Sequence, residues 1–254
     1  RAMPNKIISN LKVTGLQAGD ELVGIDYRPK DSKLYAVGFM GNIYTLNPST
    51  GVATFVKKLI AEPTDTTDGN AAFSTILGDA NLITVNFNPV ADRLRVITNT
   101  GQNLRINVDT GATITDGAIN LAAGSATVVA GAYTNAFAGT SSTKLYSIDQ
   151  NSDRVYLQNA NAGTLGSSAV LGADINTNGG GALAIDLVSK IGSAALKLTT
   201  WAYKFFQLNF ANVGTSNDAV VASIDLNSSF NTMGIRGIAL KRASDSTAQA
   251  FGLT

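Results

Sequence analysis

The side chains best able to do chemistry crowd into one stretch. Asp92, Arg93, Arg95, Asn103, Arg105 and Asn107 fall on two short runs of alternating polarity, and alternation puts the three arginines on one face of two adjacent strands. Guanidinium forks recognise planar anions through paired hydrogen bonds, so one reading is a floor that holds a carboxylate or a sugar. The preferred reading is a structural polar network between packed sheets, in which each buried arginine needs a carboxylate or carbonyl partner. Asp149, Asn151 and Asp153 alternate as the first oxygen ligands of a calcium loop do. The glycine and the distal glutamate of such a loop are missing, and an Asx-rich hairpin turn is the simpler expectation. No cofactor is expected beyond that weak calcium candidate.

Composition narrows the chemistry further. The chain has no cysteine and no histidine, which removes thiolate nucleophiles, His-based metal sites, the Ser-His-Asp triad and the commonest general base. A non-enzymatic protein is therefore expected, and a carboxylate-based hydrolase or lyase, built on Asp/Glu or Tyr/Lys, is the remaining catalytic alternative. Charged residues are 15% of the chain and the net charge is +1. Ordinary soluble domains carry about 25%, so no field attracts nucleic acid or anionic lipid. The longest apolar candidate, Gly181 to Phe210, is broken by Asp186, Lys190, Lys197 and Lys204, so no membrane span is expected. A surface of Thr, Asn, Ser and Gly points to an extracellular or cell-surface location. The chain opens at Arg1 without an apolar leader, so export implies that a signal segment has been removed.

The elements that would position these residues emerge from an internal repeat. Gly24-Ile25-Asp26-Tyr27-Arg28-Pro29 aligns with Thr84-Val85-Asn86-Phe87-Asn88-Pro89, and without a gap Leu34 falls on Leu94, Gly41 on Gly101, Asn47 on Asn107 and Gly51 on Gly111. Each copy reads as four short strands separated by turn residues. A looser third copy spans Val128 to Leu171 and a fourth spans Ala182 to Leu226. Four-stranded units at this spacing predict an all-β single domain over residues 1–254, a β-propeller of about five blades. A two-sheet β-sandwich of meanders is the alternative.

The ends predict an incomplete last blade. Ile235 to Leu240 and Ala248 to Leu253 supply two strands and Lys6 to Val13 one, which makes three. An unfilled place leaves unpaired backbone groups that accept a strand from elsewhere. The candidate interface therefore comprises Lys6, Ile7, Ile8, Leu11, Val13 and Phe251 at the ends. Trp201 and Tyr203 join it from an aromatic run that belongs to the core unless it is exposed.

Asn88 to Val96, Thr100 to Asn107 and Asp109-Thr110-Gly111, with Leu22 to Pro29 before them and Ala132 to Asn135 and Lys144 to Asp149 after them, resemble the signature of a bacterial domain-of-unknown-function family numbered 4394. The likeness is best over residues 15–172 and implies an exported, propeller-like protein with no activity attached. Asn86 stands where that family usually has Asp, and the strand expected before residues 5–13 is missing. Together these readings predict an extracellular structural or adhesive propeller that self-assembles into a filament by strand completion between subunits. The alternative is a monomer that binds a carbohydrate or small anion at its central opening.

Overall fold

The computed structural model describes residues 7–65, 71–175, 179–226, 234–241 and 249–253. Strands form where apolar residues alternate or run together between turn residues. The first sheet is the meander β1 (Leu22–Tyr27), β2 (Leu34–Gly38), β3 (Asn42–Leu46) and β4 (Ala53–Lys58). The short β5 (Ile60–Ala61) leaves it and pairs in parallel with the second sheet, β6 (Ile83–Asn88), β7 (Arg93–Thr98), β8 (Asn103–Ile106) and β9 (Ala112–Thr115). The third sheet is β10 (Val128–Tyr133), β11 (Leu145–Asp149), β12 (Arg154–Gln158) and β13 (Leu165–Val170). The fourth is β14 (Gly181–Ile185), β15 (Ile191–Lys197), β16 (Tyr203–Asn209) and β17 (Val220–Asp225). A two-stranded sheet, β18 (Gly237–Lys241) with β19 (Gln249–Leu253), follows.

The sheets stand in a propeller-like ring. Inner strands β1, β6, β10, β14 and β18 neighbour one another in that order, and β18 returns to β1. Each junction has its own apolar cluster. Val23 and Ile43 meet Phe87 and Leu94, Ile97 meets the Tyr133 and Tyr156 group, and Ile148 and Val155 meet Leu196 and Phe206. Tyr203 and Leu226 meet Ile235, and Ala239 and Leu253 close onto Ala36 and Tyr44. Because both faces of an inner strand are covered, β1, β10 and β14 are buried along their whole length. Crowding explains Gly24, where a Cβ would collide with Val85 of the adjacent inner strand. The sandwich alternative is set aside by this closure, and the expected five four-stranded blades become four complete sheets and a two-stranded one among the described residues.

Successive sheets are latched by a recurring device. Thr14 bridges Val52 in parallel, Ile60 pairs with Ala112, and Asn120 bridges Thr164. Each latch crosses a turn closed from Asn47 to Gly51, Asn107 to Gly111 and Asn159 to Gly163, whose glycine N–H donates to the asparagine carbonyl at 2.8, 2.8 and 2.9 Å. The glycines have φ of 74°, 83° and 72°, and a Cβ on them would strike the backbone oxygens of Lys12, Lys58 and Ala118. Only glycine satisfies both the left-handed backbone and the close approach.

The head departs from its expected role. Lys6 lies outside the described residues, and residues 7–13 form no strand. Instead the head meets the first sheet, with Thr14 N donating to Gly51 O at 3.1 Å and Ala53 N donating to Thr14 O at 2.8 Å. A lone strand gains little without a partner whose edge lies within one strand spacing.

Candidate functional site

The repeat puts Asp26 and Asn86 at matching places on β1 and β6, and both reach sideways to the next inner strand. Asp26 Oδ2 accepts from Phe87 N at 2.8 Å, and Asn86 Oδ1 accepts from Tyr133 N at 2.7 Å. The carboxyl of Asp26 is buried, and loss of solvation pushes it up to about 7, against the lowering effect of the Phe87 and Tyr27 amides. These side chains line a cavity of about 60 Å³ where the ends of the inner strands converge, with Tyr133, Ile185 and Lys241 around it. That volume admits a few waters and is well below the roughly 150 Å³ that receives a benzene ring.

The polar cluster separates into two networks. Arg95 is 2% exposed and donates to Asp116 Oδ2 at 2.6 Å, Asn103 Oδ1 at 3.0 Å, Asn161 Oδ1 at 3.0 Å and Tyr133 Oη at 3.3 Å. Arg105, its partner across the β7–β8 register, takes both oxygens of Asp116 at 3.0 and 2.9 Å. That carboxylate holds the Arg105 guanidinium above its ordinary value. Asn103 Nδ2 donates to the carbonyls of Gly117 and Ala160, each at 2.9 Å. This network ties the second sheet to the third.

Asp92 belongs elsewhere. Its oxygens accept from Arg28 Nε at 2.8 Å and Nη2 at 2.6 Å, while Asp109 accepts from Arg28 Nη1 and Nη2, each at 2.7 Å, and Tyr35 Oη accepts from Nη1 at 3.4 Å. The Arg28 guanidinium holds both carboxyls below the usual carboxylate range. Arg93 turns to the carbonyls of Ala91 and Asp92 at 3.3 and 3.0 Å, and Asn107 caps its own turn by accepting from Asp109 N at 3.0 Å. The structure thus brings Arg95, Asn103 and Arg105 together and leaves Asp92, Arg93 and Asn107 outside that group. Sequence reasoning missed Arg28, Asp109, Asp116 and Asn161. Arg28 and Asp109 were within reach, since Arg28 lies inside the aligned word Gly24 to Pro29 and Asp109 opens the word Asp109-Thr110-Gly111.

The Asp149, Asn151 and Asp153 segment is a turn. Asp149 accepts from Thr127 N at 2.6 Å and from Ser152 N and Oγ at 3.1 and 2.6 Å. Asp153 accepts from Ile175 N at 2.8 Å, and Asn151 Nδ2 donates to Ser125 O at 3.2 Å. Burial, together with Asp174 and Asp149 nearby, pushes the Asp153 carboxyl up. With Asp149 and Asp153 accepting from N–H and O–H groups and Asn151 donating its amide, the segment forms an Asx turn.

Among the interface candidates, Ile7, Ile8 and Leu11 are exposed, and Val13 packs beside the cluster of Tyr44 and Leu253. Trp201 is exposed on the β15–β16 turn under Lys197 Nζ, 4.7 Å from the ring centre. Tyr203 is buried, so it belongs to the core, and its hydroxyl accepts from Ile235 N at 3.1 Å. Phe251 lies on β19.

A family model described as "Domain of unknown function (DUF4394)" matches residues 1–235. None of the curated proteins matches the chain. Among solved structures, a protein of unknown function from Bacteroides caccae is similar at 13% identity and a TM-score of 0.43, over 85% of this chain and 64% of that one. The C-terminal WD40 domain of Sif2 is similar at 14% identity and a TM-score of 0.43, over 87% and 64%. The chain thus spans less than two-thirds of either of these chains.

Proposed function

The chain belongs to the domain-of-unknown-function family DUF4394, and from that premise we propose that it is a non-enzymatic, exported bacterial propeller that assembles into filaments by completing its fifth blade across subunits. One observation carries the reading: four sheets have at least four strands, while the fifth place in the ring holds two among the described residues. Both edges of such a sheet resemble a template for a further strand. A net charge of +1 offers little repulsion between copies.

The polar groups fit a structural role. Arg28 is engaged by Asp92 and Asp109, Arg95 by Asp116, and Asp26 holds a backbone amide. The cavity at the convergence of the inner strands is too small for a sugar ring, which weighs against a carbohydrate at the central opening. Negative-stain electron microscopy across a dilution series tests the proposal. Filaments that persist at low concentration are expected; dispersed particles of 26.3 kDa at every concentration would overturn it.

A further inference from the structure

We propose that a groove on the third sheet is a binding site for a sugar acid, a short saccharide that carries a carboxylate. The assignment goes beyond the assembly reading and does not depend on it. The groove has a volume of about 620 Å³ and lies where β10 and β12 finish and β11 and β13 begin, with Asn88 reaching in from the end of β6. Small-molecule sites run to roughly 300–1,000 Å³, room that the cavity of about 60 Å³ at the convergence of the inner strands lacks.

The amide side chains of the lining present donors. Asn88 Oδ1 accepts from Val90 N and Ala91 N at 3.0 Å each, and Asn159 Oδ1 accepts from Ala162 N at 3.1 Å. Each asparagine commits its oxygen to its own turn, and the backbone donors fix which end of the amide is which. Both Nδ2 groups are left without a partner among the described residues. Gln158 repeats the pattern at the floor of the groove, where it is 4% exposed: its Oε1 accepts from Ser147 Oγ at 2.5 Å, and its Nε2 is buried with no partner. A buried N–H without an acceptor is an exception in folded proteins and calls for a physical reason. Lys144 adds the charge. It is exposed, its ammonium meets no carboxylate among the described residues, and the groove lining contains no Asp or Glu.

The donors are held in place before any ligand arrives. Ala160 O accepts from Asn103 Nδ2 at 2.9 Å and Asn161 Oδ1 accepts from Arg95 Nη2 at 3.0 Å, so the turn that carries Asn159 is pinned to the second sheet. The Lys144 backbone is fixed too, since its N donates to Thr134 Oγ1 and its O accepts from Thr134 N, each at 2.9 Å. Prior order of this kind lowers the entropic cost of binding.

Three amides and one ammonium suit a ligand with several acceptor oxygens and one negative charge. A carboxylate meets the ammonium in a charge-assisted pair, while ring and hydroxyl oxygens meet the amides. Leu157 and Ala160, both half-buried, supply apolar lining for the C–H face of a sugar ring. Other anions fit less well. A phosphate brings about two charges to a single lysine, and a nucleotide base finds no open aromatic face, since Tyr133 is 2% exposed.

Cellobiouronic acid and its neutral counterpart cellobiose test the assignment, because they differ chiefly in one carboxylate. Calorimetry reads their binding in dispersed and assembled protein alike, so failure of the assembly reading leaves the test intact. The acid should bind saturably, and cellobiose at least about ten-fold more weakly, a change equal to about 1.4 kcal/mol. Lys144→Ala should weaken the acid by the same factor. Lys57→Ala removes a charge from an exposed position on β4 and should leave the affinity unchanged. Asn159→Asp keeps the oxygen that holds its turn and replaces the free donor with a charged acceptor, so it too should lose at least about ten-fold. Equal binding of the acid and cellobiose, or full affinity in Lys144→Ala or Asn159→Asp, overturns the site. Acetate that competes as well as the disaccharide acid overturns the saccharide assignment. No saturable heat with about 10 mM of the acid overturns the proposal outright.

Discussion

The junction between the second and third sheets and the two junctions around the fifth are held in different ways. At the former, Arg95, Arg105 and Asp116 form a buried ion-paired network, Asn86 spans the inner strands and Asn120 latches the outer edge. At the latter, among the described residues, β18 packs on β1 and β14, and the polar links are the Tyr203 hydroxyl, which accepts from Ile235 N at 3.1 Å, and Arg236, which donates to Leu22 O at 3.0 Å, Glu21 Oε2 at 2.9 Å and Asn81 Oδ1 at 3.0 Å. Polar pins thus accumulate where sheets are complete and both partners are fixed. At the fifth sheet, apolar faces carry most of the contact among the described residues.

Three substitutions sharpen that contrast. Asp116→Ala leaves Arg95 charged and uncompensated at 2% exposure, and chemical denaturation should show a loss of about 3–5 kcal/mol. A loss below about 1 kcal/mol would mean that the network does not hold its junction.

Asp26→Asn should act in the opposite direction. A carboxyl raised to about 7 in the folded protein keeps its proton over a range where the unfolded chain has released it. Stability therefore falls as pH rises from about 4 to about 7, by up to roughly 4 kcal/mol at 1.36 kcal/mol per pH unit. An asparagine accepts the same Phe87 amide, as Asn86 accepts that of Tyr133. The variant should be more stable than the parent at neutral pH and should lose the slope between about pH 4 and 7 in melting experiments. Asp92 and Asp109 act on the other limb: lowered by Arg28, they stabilise the fold above about pH 4 and lose that effect as pH falls further.

The smallest change is expected at the fifth sheet. Arg236→Ala removes an ion pair whose Glu21 side chain is 52% exposed, so the melting curve should shift by no more than about 1 kcal/mol of stability. A loss as large as that of Asp116→Ala would erase the contrast between the junctions.

Strand positions were legible where the repeat and its turns are local. The expected third copy over Val128 to Leu171 coincides with β10 to β13, and the fourth over Ala182 to Leu226 with β14 to β17. Alternation and bounding Asx or glycine turns act within a few residues, so one sequence suffices for them. The partners of the arginines were less legible. Arg28 reaches Asp92 and Asp109 across 64 and 81 residues, and Arg95 reaches Asn161 across 66. No local spacing encodes which neighbour the ring will supply. The same holds for residues 7–13, whose apolar composition suggests a strand while pairing depends on a sheet edge that the described chain does not bring to them.

Trp201 is the protein's sole tryptophan, and it projects from an exposed turn with a left-handed backbone, φ 64°. Its emission should be that of a water-facing indole, modulated by the ammonium of Lys197 above the ring. Intrinsic fluorescence will therefore follow the rim of the fourth blade and remain nearly silent while the buried interior melts. Unfolding of the core is better read from far-ultraviolet dichroism, and a blue shift of the tryptophan band on raising protein concentration would reveal a neighbour settling against that rim.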